Sequence, residues 1–524
     1  MKLFVKMVAL AMALMMLAGV SVACAQNNAD NPADVTTTVA AVDTTAPAGA
    51  DTSAPGDDTA DTTAPSNVDS NGFLLDDLPS DLNFNNAEVY VLHWEAERDE
   101  FQSEGISGDN IMDNIYQRNI NIEDRLGVAL TFEESPGNNG NLNKFKQKVE
   151  NSFQAGERVY DIIATYSRTA AQLAISGFYT DLNKVEDSYI DLEKPWWPPS
   201  ITETMGVGDA LYYVSGDAST NTLHFMYTIY YNKNLLNDLG LEDPTEYVLN
   251  KTWTIDKLVE MSSNQYRDED GDGKQSANDF FGFGTVYFGA DAFYTGSGLR
   301  LIEHTGDDDL IKISDDFFSE KTVNLVDKLG KWMTTNDCWV SRKGATVDFE
   351  GPFADGRMLF CQDRVYLADN QHSSGLNQVE WKYGLVPTPL YDEAQEEYVT
   401  VIGNPFTLYG IMSDCEEPTM MSAVIECWGS EAYRLTTPAL FETNMKYKYT
   451  DLDVSAQMFD ILRNTMSFDQ GRIYANTLGP YISELPSMAA TTGSSWTTTM
   501  KPYQRLLGKQ LNNIIVSFQK IQDQ

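Results

Sequence analysis

The sequence predicts an α/β fold built around a parallel sheet. Two observations carry that expectation. Glu88-Val89-Tyr90-Val91-Leu92-His93, Val128-Ala129-Leu130-Thr131-Phe132 and Tyr160-Asp161-Ile162-Ile163-Ala164-Thr165 are short apolar runs rich in β-branched and aromatic residues, as strands are. Between them lie two stretches with helical periodicity, so the order is strand, helix, strand, helix, strand. That order makes βαβ units, whose crossovers lay helices on a parallel sheet.

Each element has its local signals. Asp113 to Leu126 has helical periodicity, with Ile115, Ile120, Ile122 and Leu126, and stops at Gly127. Asn143 to Phe153 is amphipathic and is ended by Gly156. Further on, Leu211-Tyr212-Tyr213-Val214 and Met226 to Tyr231 read as strands, and Lys233 to Leu239 as a helix stopped by Gly240. Thr254 is placed to cap a helix opening at Ile255-Asp256-Lys257-Leu258. Long helical stretches are expected over Ser455 to Met466 and Pro502 to Ile521. In open α/β sheets ligands sit beyond the carboxyl ends of strands. Those ends carry Trp94-Glu95 and Tyr166-Ser167-Arg168.

The first residues read as an export signal. Lys2 and Lys6 precede an apolar run from Met7 to Val20, which is short for a membrane span and closes on Ser21-Val22-Ala23 before Cys24. A cysteine directly after small residues is the pattern of a lipoprotein signal, so residues 1–24 are expected to be a signal peptide and Cys24 to carry lipid. Ser21 stands where an aliphatic residue is usual. From Ala25 to about Ser70 the chain is nearly all Ala, Thr, Asp, Asn, Pro and Val, with Asp-Thr-Thr-Ala-Pro at Asp43 and again at Asp61. Such a segment buries too little apolar surface to offset its ordering entropy. Residues 25–84 are therefore assigned to a tether. Its 45 or so low-complexity residues would reach about 140 Å at roughly 3.1 Å per residue.

Composition bounds the rest. The chain is 42% hydrophobic, ample for a two-lobed body after the tether. Lys plus Arg number 36 against 77 Asp plus Glu, a formal charge of −41. Such a surface repels nucleic acid and anionic headgroups and suits a neutral or cationic small ligand. Beyond Cys24 stand Cys338, Cys361, Cys415 and Cys427, without metal-ligand spacing. Outside a cell they could form one or two disulfides, but buried thiols are the expectation, with Cys427 in an apolar helix.

The sharpest motif is Asp268-Glu269-Asp270-Gly271-Asp272-Gly273-Lys274, with Asp279 in the twelfth place. This is the loop pattern of a calcium site. Asp268, Asp270 and Asp272 supply hard oxygens, Gly273 permits the turn, Lys274 offers its carbonyl and Asp279 closes the shell where Glu is usual. A structural calcium ion is the expectation, a solvated acidic turn the alternative.

Aromatic residues recur at expected loop positions: Trp94, Tyr166, Trp196, Trp197, Phe288, Tyr294, Trp339 and Phe353. A sugar ring offers an apolar C–H face and a polar rim, which aromatic platforms with nearby carboxylates and amides suit. For any one ring, core packing is the commoner role. Prolines flank Trp196-Trp197 and place the pair on a turn. Catalytic constellations are absent: the histidines sit in no H-E-x-x-H, and there is no G-x-S-x-G, phosphate-cradling loop or dinucleotide fingerprint.

Several stretches together resemble the family 1 extracellular solute-binding proteins of sugar ABC importers. They are Tyr230-Tyr231-Asn232-Lys233-Asn234-Leu235-Leu236 followed by Leu239-Gly240-Leu241 and Pro244, then Trp253-Thr254-Ile255-Asp256-Lys257-Leu258, then the acidic loop running into Phe281-Gly282-Phe283. Phe353 to Phe360 and Tyr383-Gly384-Leu385-Val386-Pro387 complete them. The resemblance implies a bilobal periplasmic-binding-protein-like fold, two α/β lobes joined by a hinge that the chain crosses more than once. It implies a lipid-anchored monomer on the extracellular face, not an enzyme, which captures a carbohydrate between its lobes and delivers it to a membrane permease. Lobe 1 is expected over about 85–205 and 346–415, lobe 2 over about 206–345 and 416–524. Trp94, Glu95, Tyr166, Ser167, Trp196, Trp197, Asp217 and Phe353 are then expected at the ligand, Asp217 accepting from sugar hydroxyls and the aromatics stacking. A secreted glycosidase-like enzyme and an adhesive surface lipoprotein are the rival readings; product release from oligosaccharides marks the first, lack of stabilisation by any small ligand the second.

Overall fold

The computed structural model describes residues 67–306, 310–341, 348–368, 376–445, 452–479 and 481–523. All of them lie in one compact unit, Pro65–Gln524. Cys24 and the low-complexity segment lie outside the described residues.

The three sequence-predicted strands form as expected. β1 (Ala87–Trp94) pairs in parallel with both β2 (Val128–Ser135) and β3 (Ile162–Tyr166). The intervening helices are α1 (Asn110–Leu126) and α2 (Leu142–Ala155). Asp109 caps α1 by accepting from the Ile111 and Met112 amides, both at 3.0 Å. Gly127, at φ 60°, ends α1 in the left-handed conformation that glycine adopts without a Cβ penalty. Helix α3 (Ser167–Ile175) follows β3 without a break.

A second sheet holds the middle of the chain: β4 (Tyr227–Asn232), β5 (Phe281–Thr285), β6 (Cys338–Val340), β7 (Met358–Arg364) and β8 (Tyr383–Pro387). Its strand order is β8-β4-β7-β5-β6, with β5, β6 and β7 parallel and β4 antiparallel to its neighbours. The chain then returns to the first sheet as β9 (Thr407–Ile411), antiparallel to β3, completing the order β9-β3-β1-β2. The two sheets, each with its helices, are the two lobes of the bilobal α/β fold. The chain passes between them after β3 and again after β8.

Three boundaries differ from the expectation. Strands β7 and β8, within residues 346–415 assigned to lobe 1, pair with β4 in the second sheet. In the other direction, the helix Pro418–Arg434 packs on α1 and β9 of the first sheet. Its buried face is set by Met421, Val424, Ile425 and Trp428. Residues 67–84, assigned to the tether, belong to the folded body. Leu78 is buried, its carbonyl accepts from Arg125 at 2.8 Å, and Phe73 meets Tyr433 edge-on at 5.5 Å. Apolar residues return to the sequence at Phe73, and folding follows them. Finally, Leu211–Val214 is not a regular strand; only Val214 bridges to Tyr409. Cys338, Cys361 and Cys427 are buried thiols and Cys415 is a half-buried one.

Candidate functional site

The carboxyl ends of the parallel strands converge. In the first lobe these ends are Trp94, Ser135 and Tyr166, with the start of β9 beside them. In the second they are Thr285, Val340 and Arg364, with Tyr227 opening β4 opposite Arg364. The loop after β1 is fixed rigidly. Arg118, fully buried on α1, donates to the Glu100 and Phe101 carbonyls at 3.1 Å each and lies 4.9 Å over the Trp428 ring. The buried Glu100 carboxylate accepts from the Tyr409 hydroxyl (2.7 Å), the Ser219 hydroxyl (3.1 Å) and the Asn221 amide (3.2 Å). Burial pushes the Glu100 carboxyl above its ordinary value, and lifts neighbouring Glu97 to about 7. A cavity of about 400 Å³ opens here, lined among others by Glu95, Glu97, Asn221, Phe225 and Tyr366.

On the second lobe Arg364 is ringed by aromatics, with its guanidinium carbon 4.5 Å from the Tyr366 ring centre, 5.3 Å from Phe225, 5.8 Å from Tyr227 and 6.0 Å from Phe288. Its charge is balanced by the buried Asp363 at 3.0 Å. Behind Tyr227 lies Arg472, buried and paired with Asp291, also donating to the Ile402 carbonyl at 3.3 Å.

The sequence-predicted ligand residues fall into three places. Trp94, Glu95, Tyr166 and Ser167 share the strand-end region. Trp94 and Tyr166 have ring centres 5.5 Å apart, and the Trp94 indole donates to Thr407 at 3.0 Å. Glu95 is exposed on the cavity, while Ser167 is buried and donates to the Asn404 carbonyl at 2.7 Å. Trp196, Trp197 and Asp217 form a separate cluster. Both tryptophans are buried, although the flanking prolines suggest a surface turn. Gly216 draws the two segments together, since a Cβ there would lie 2.2 Å from the Trp196 carbonyl oxygen. Asp217 accepts from Arg463 through both carboxylate oxygens, at 3.1 and 2.6 Å, and Trp197 donates to Glu426 at 2.9 Å. Trp197, Asp217 and Arg463 edge a cavity of about 700 Å³. Phe353 stands apart, packed on Trp381 (5.2 Å) and Tyr230 (6.4 Å). Sequence reasoning did not single out Asn221, Phe225, Tyr227, Arg364, Tyr366 or Arg472. The end of β7, once recognised as a parallel strand, would have pointed to Arg364.

In the acidic loop, one carboxylate oxygen from each of Asp268, Asp270 and Asp279 lies within 4.8 Å of the others. Asp279 is buried; its oxygens accept from the Ser276 amide (2.8 Å), the Glu269 amide (3.2 Å) and the Tyr266 hydroxyl (3.2 Å). Asp272 instead accepts from the Lys274 amide at 2.7 Å.

Residues 123–336 match the family of bacterial extracellular solute-binding proteins. No curated protein matches the chain by sequence. Among solved structures, the galacto-N-biose-/lacto-N-biose I-binding protein of a Bifidobacterium longum ABC transporter, in complex with lacto-N-biose, superposes with a TM-score of 0.52 at 11% identity. The match covers 82% of this chain and 98% of that one. The ABC substrate-binding protein Lmo0181 from Listeria monocytogenes, in complex with cycloalternan, gives 0.50 at 12% identity over 82% and 99%. Those likenesses are of fold. The family match spans residues 123–336, less than half of the chain. No helix among the described residues is long and apolar enough to cross a membrane.

Proposed function

We propose that this chain is the substrate-binding component of an ABC importer and captures an oligosaccharide between its two lobes. The observation that carries the reading is the convergence of strand ends from both lobes on one aromatic and hydrogen-bonding region, in a chain whose residues 123–336 match a solute-binding family. The two structural neighbours, both sugar-bound, support the ligand class. Closure on the ligand is hinge motion, and the ligand shifts the population toward the closed form in proportion to contacts made only there. A thermal-shift screen of mono- and oligosaccharides identifies the ligand, because binding to the native state raises its stability by mass action. Small-angle scattering with the best binder is then expected to show a smaller radius of gyration. An unchanged radius for a confirmed ligand would sink the closure.

Two finer features belong to this reading. Cys24 carries a lipid anchor, and Cys24→Ala releases the protein into the medium; a variant that stays with the membrane fraction overturns this. Asp268, Asp270 and Asp279 hold one structural calcium ion, with Asp272 and the Lys274 carbonyl completing the loop motif. Three carboxylates this close repel one another, and a divalent cation removes the repulsion. Calorimetric melting with and without chelator tests it, and identical midpoints would leave a solvated turn.

A further inference from the structure

Arg168 is the second residue of α3 and stands just beyond the carboxyl end of β3, beside Tyr166. It is 8% exposed, and no described residue gives it a hydrogen bond or an ion pair; its Nε is buried without a partner. In a chain with 77 acidic residues this is a selective vacancy of counter-charge. Its setting makes the positive charge dearer still. The first turn of α3 contains no acidic residue and its N-cap, Tyr166, makes no side-chain cap; the Ser167 amide donates to the Phe406 carbonyl at 2.9 Å, but no negative charge answers the positive end of the helix dipole where Arg168 adds to it. A second guanidinium, that of Arg472, lies close by; burial above all, and the Arg168 charge as well, pull it down to about 10. Arg472 has Asp291 as its counter-ion, which leaves one positive charge uncompensated in this group. A buried guanidinium costs stability unless it is paired, and a helix N-terminus beside it is an anion-binding arrangement.

We infer that the bound solute carries an anionic group, a sugar carboxylate or ester sulfate, seated on Arg168 at the N-terminus of α3. This rests on the sugar-binding reading and gives it a narrower class, acidic oligosaccharides. It departs from the neutral ligand that the charge of −41 suggests. The overall charge acts at long range and is screened beyond about 8–10 Å at physiological salt, whereas the guanidinium acts in contact.

The test compares wild type, Arg168→Gln and Arg168→Lys. Without ligand, Arg168→Gln is expected to melt no lower than wild type, because it removes an uncompensated charge. Oligogalacturonates and sulfated carrageenan oligosaccharides distinguish carboxylate from sulfate, and their neutral galactose counterparts serve as controls. The acidic probe that binds wild type is expected to lose at least tenfold in affinity on Arg168→Gln, with partial recovery in Arg168→Lys. Sodium sulfate and sodium acetate are titrated against chloride at matched ionic strength, as probes indifferent to sugar stereochemistry. Wild type should gain more in melting temperature than Arg168→Gln. Equal responses of the two proteins to these anions overturn the assignment. So does a neutral oligosaccharide bound equally by both, which leaves the sugar reading intact. Should the anions separate the two proteins while no sugar binds either, the anion site stands and the sugar reading fails.

Discussion

Two clusters of aromatic and charged side chains, both buried, differ in one respect. Around Trp197, Asp217 and Arg463 the polar groups are largely spent on one another: a two-point ion pair and an indole–carboxylate bond. At the strand ends, Arg168 has no counter-ion, and the Tyr166 and Tyr227 hydroxyls make no hydrogen bond among the described residues. The same residue types thus serve two purposes. Where donors and acceptors close on each other, they hold segments together; where they are left open, folding has not used them and a solute can.

The largest effect expected from this contrast is on stability. Asp217→Ala leaves the half-buried Arg463 guanidinium with the Pro195 carbonyl but without its carboxylate, and should cost about 2–4 kcal/mol. Trp197→Ala removes a side chain only 2% exposed and should cost a similar amount, about 3–5 kcal/mol. Chemical denaturation measures both. The comparison breaks if Trp197→Ala leaves stability unchanged and abolishes solute binding, since that residue would then be a platform in the cleft.

How much of this was legible in sequence follows the range of the interactions. Gly127 and Gly156 act within a few residues, so β1 to β3 and their helices could be read from local pattern, as could the Thr254 cap further on. The lobe membership of β7 and β8 depends on pairing with β4, more than a hundred residues earlier in the chain, and no local signal carries it. Leu211–Val214 has the composition of a strand, but only Val214 makes a bridge. Likewise Arg168, Arg364 and Arg472 meet only because the fold brings three distant segments to one edge. Trp94, Glu95 and Tyr166 could be placed at strand ends from sequence because a strand end is a local feature.

A middle-sized effect concerns pH. Glu426 is 2% exposed, with one oxygen bonded to Trp197 and the Asp191 amide and the other without a partner. Burial lifts its carboxyl from 4.5 to about 7. Between those values the folded chain keeps a proton that the unfolded chain releases, so stability falls as pH rises through that window. The loss from this one group is about 1.4 kcal/mol per pH unit within it. Glu97 and Asp469, lifted by burial to about 7 and about 6, add to the same slope. Glu426→Gln should therefore flatten the slope without abolishing it, as melting between pH 5 and 8 will show. An unaltered slope would mean that the carboxylate is ionised in its cluster, and that the closed cluster is less closed than its hydrogen bonds indicate.

The smallest effect is the most discriminating. Tyr166 is 3% exposed, its ring rests against Trp94, and its hydroxyl has no protein partner among the described residues. Tyr166→Phe keeps the ring and deletes only that hydroxyl. Stability should change by no more than about 0.5 kcal/mol, because no folded-state hydrogen bond is lost. Solute affinity should fall by about 0.5–1.5 kcal/mol, roughly two- to tenfold, if the hydroxyl is held open for the ligand. Titration calorimetry and melting on the same variant separate the two quantities. Loss of stability with affinity preserved would place Tyr166 with Asp217 and Trp197, among the groups that folding itself consumes.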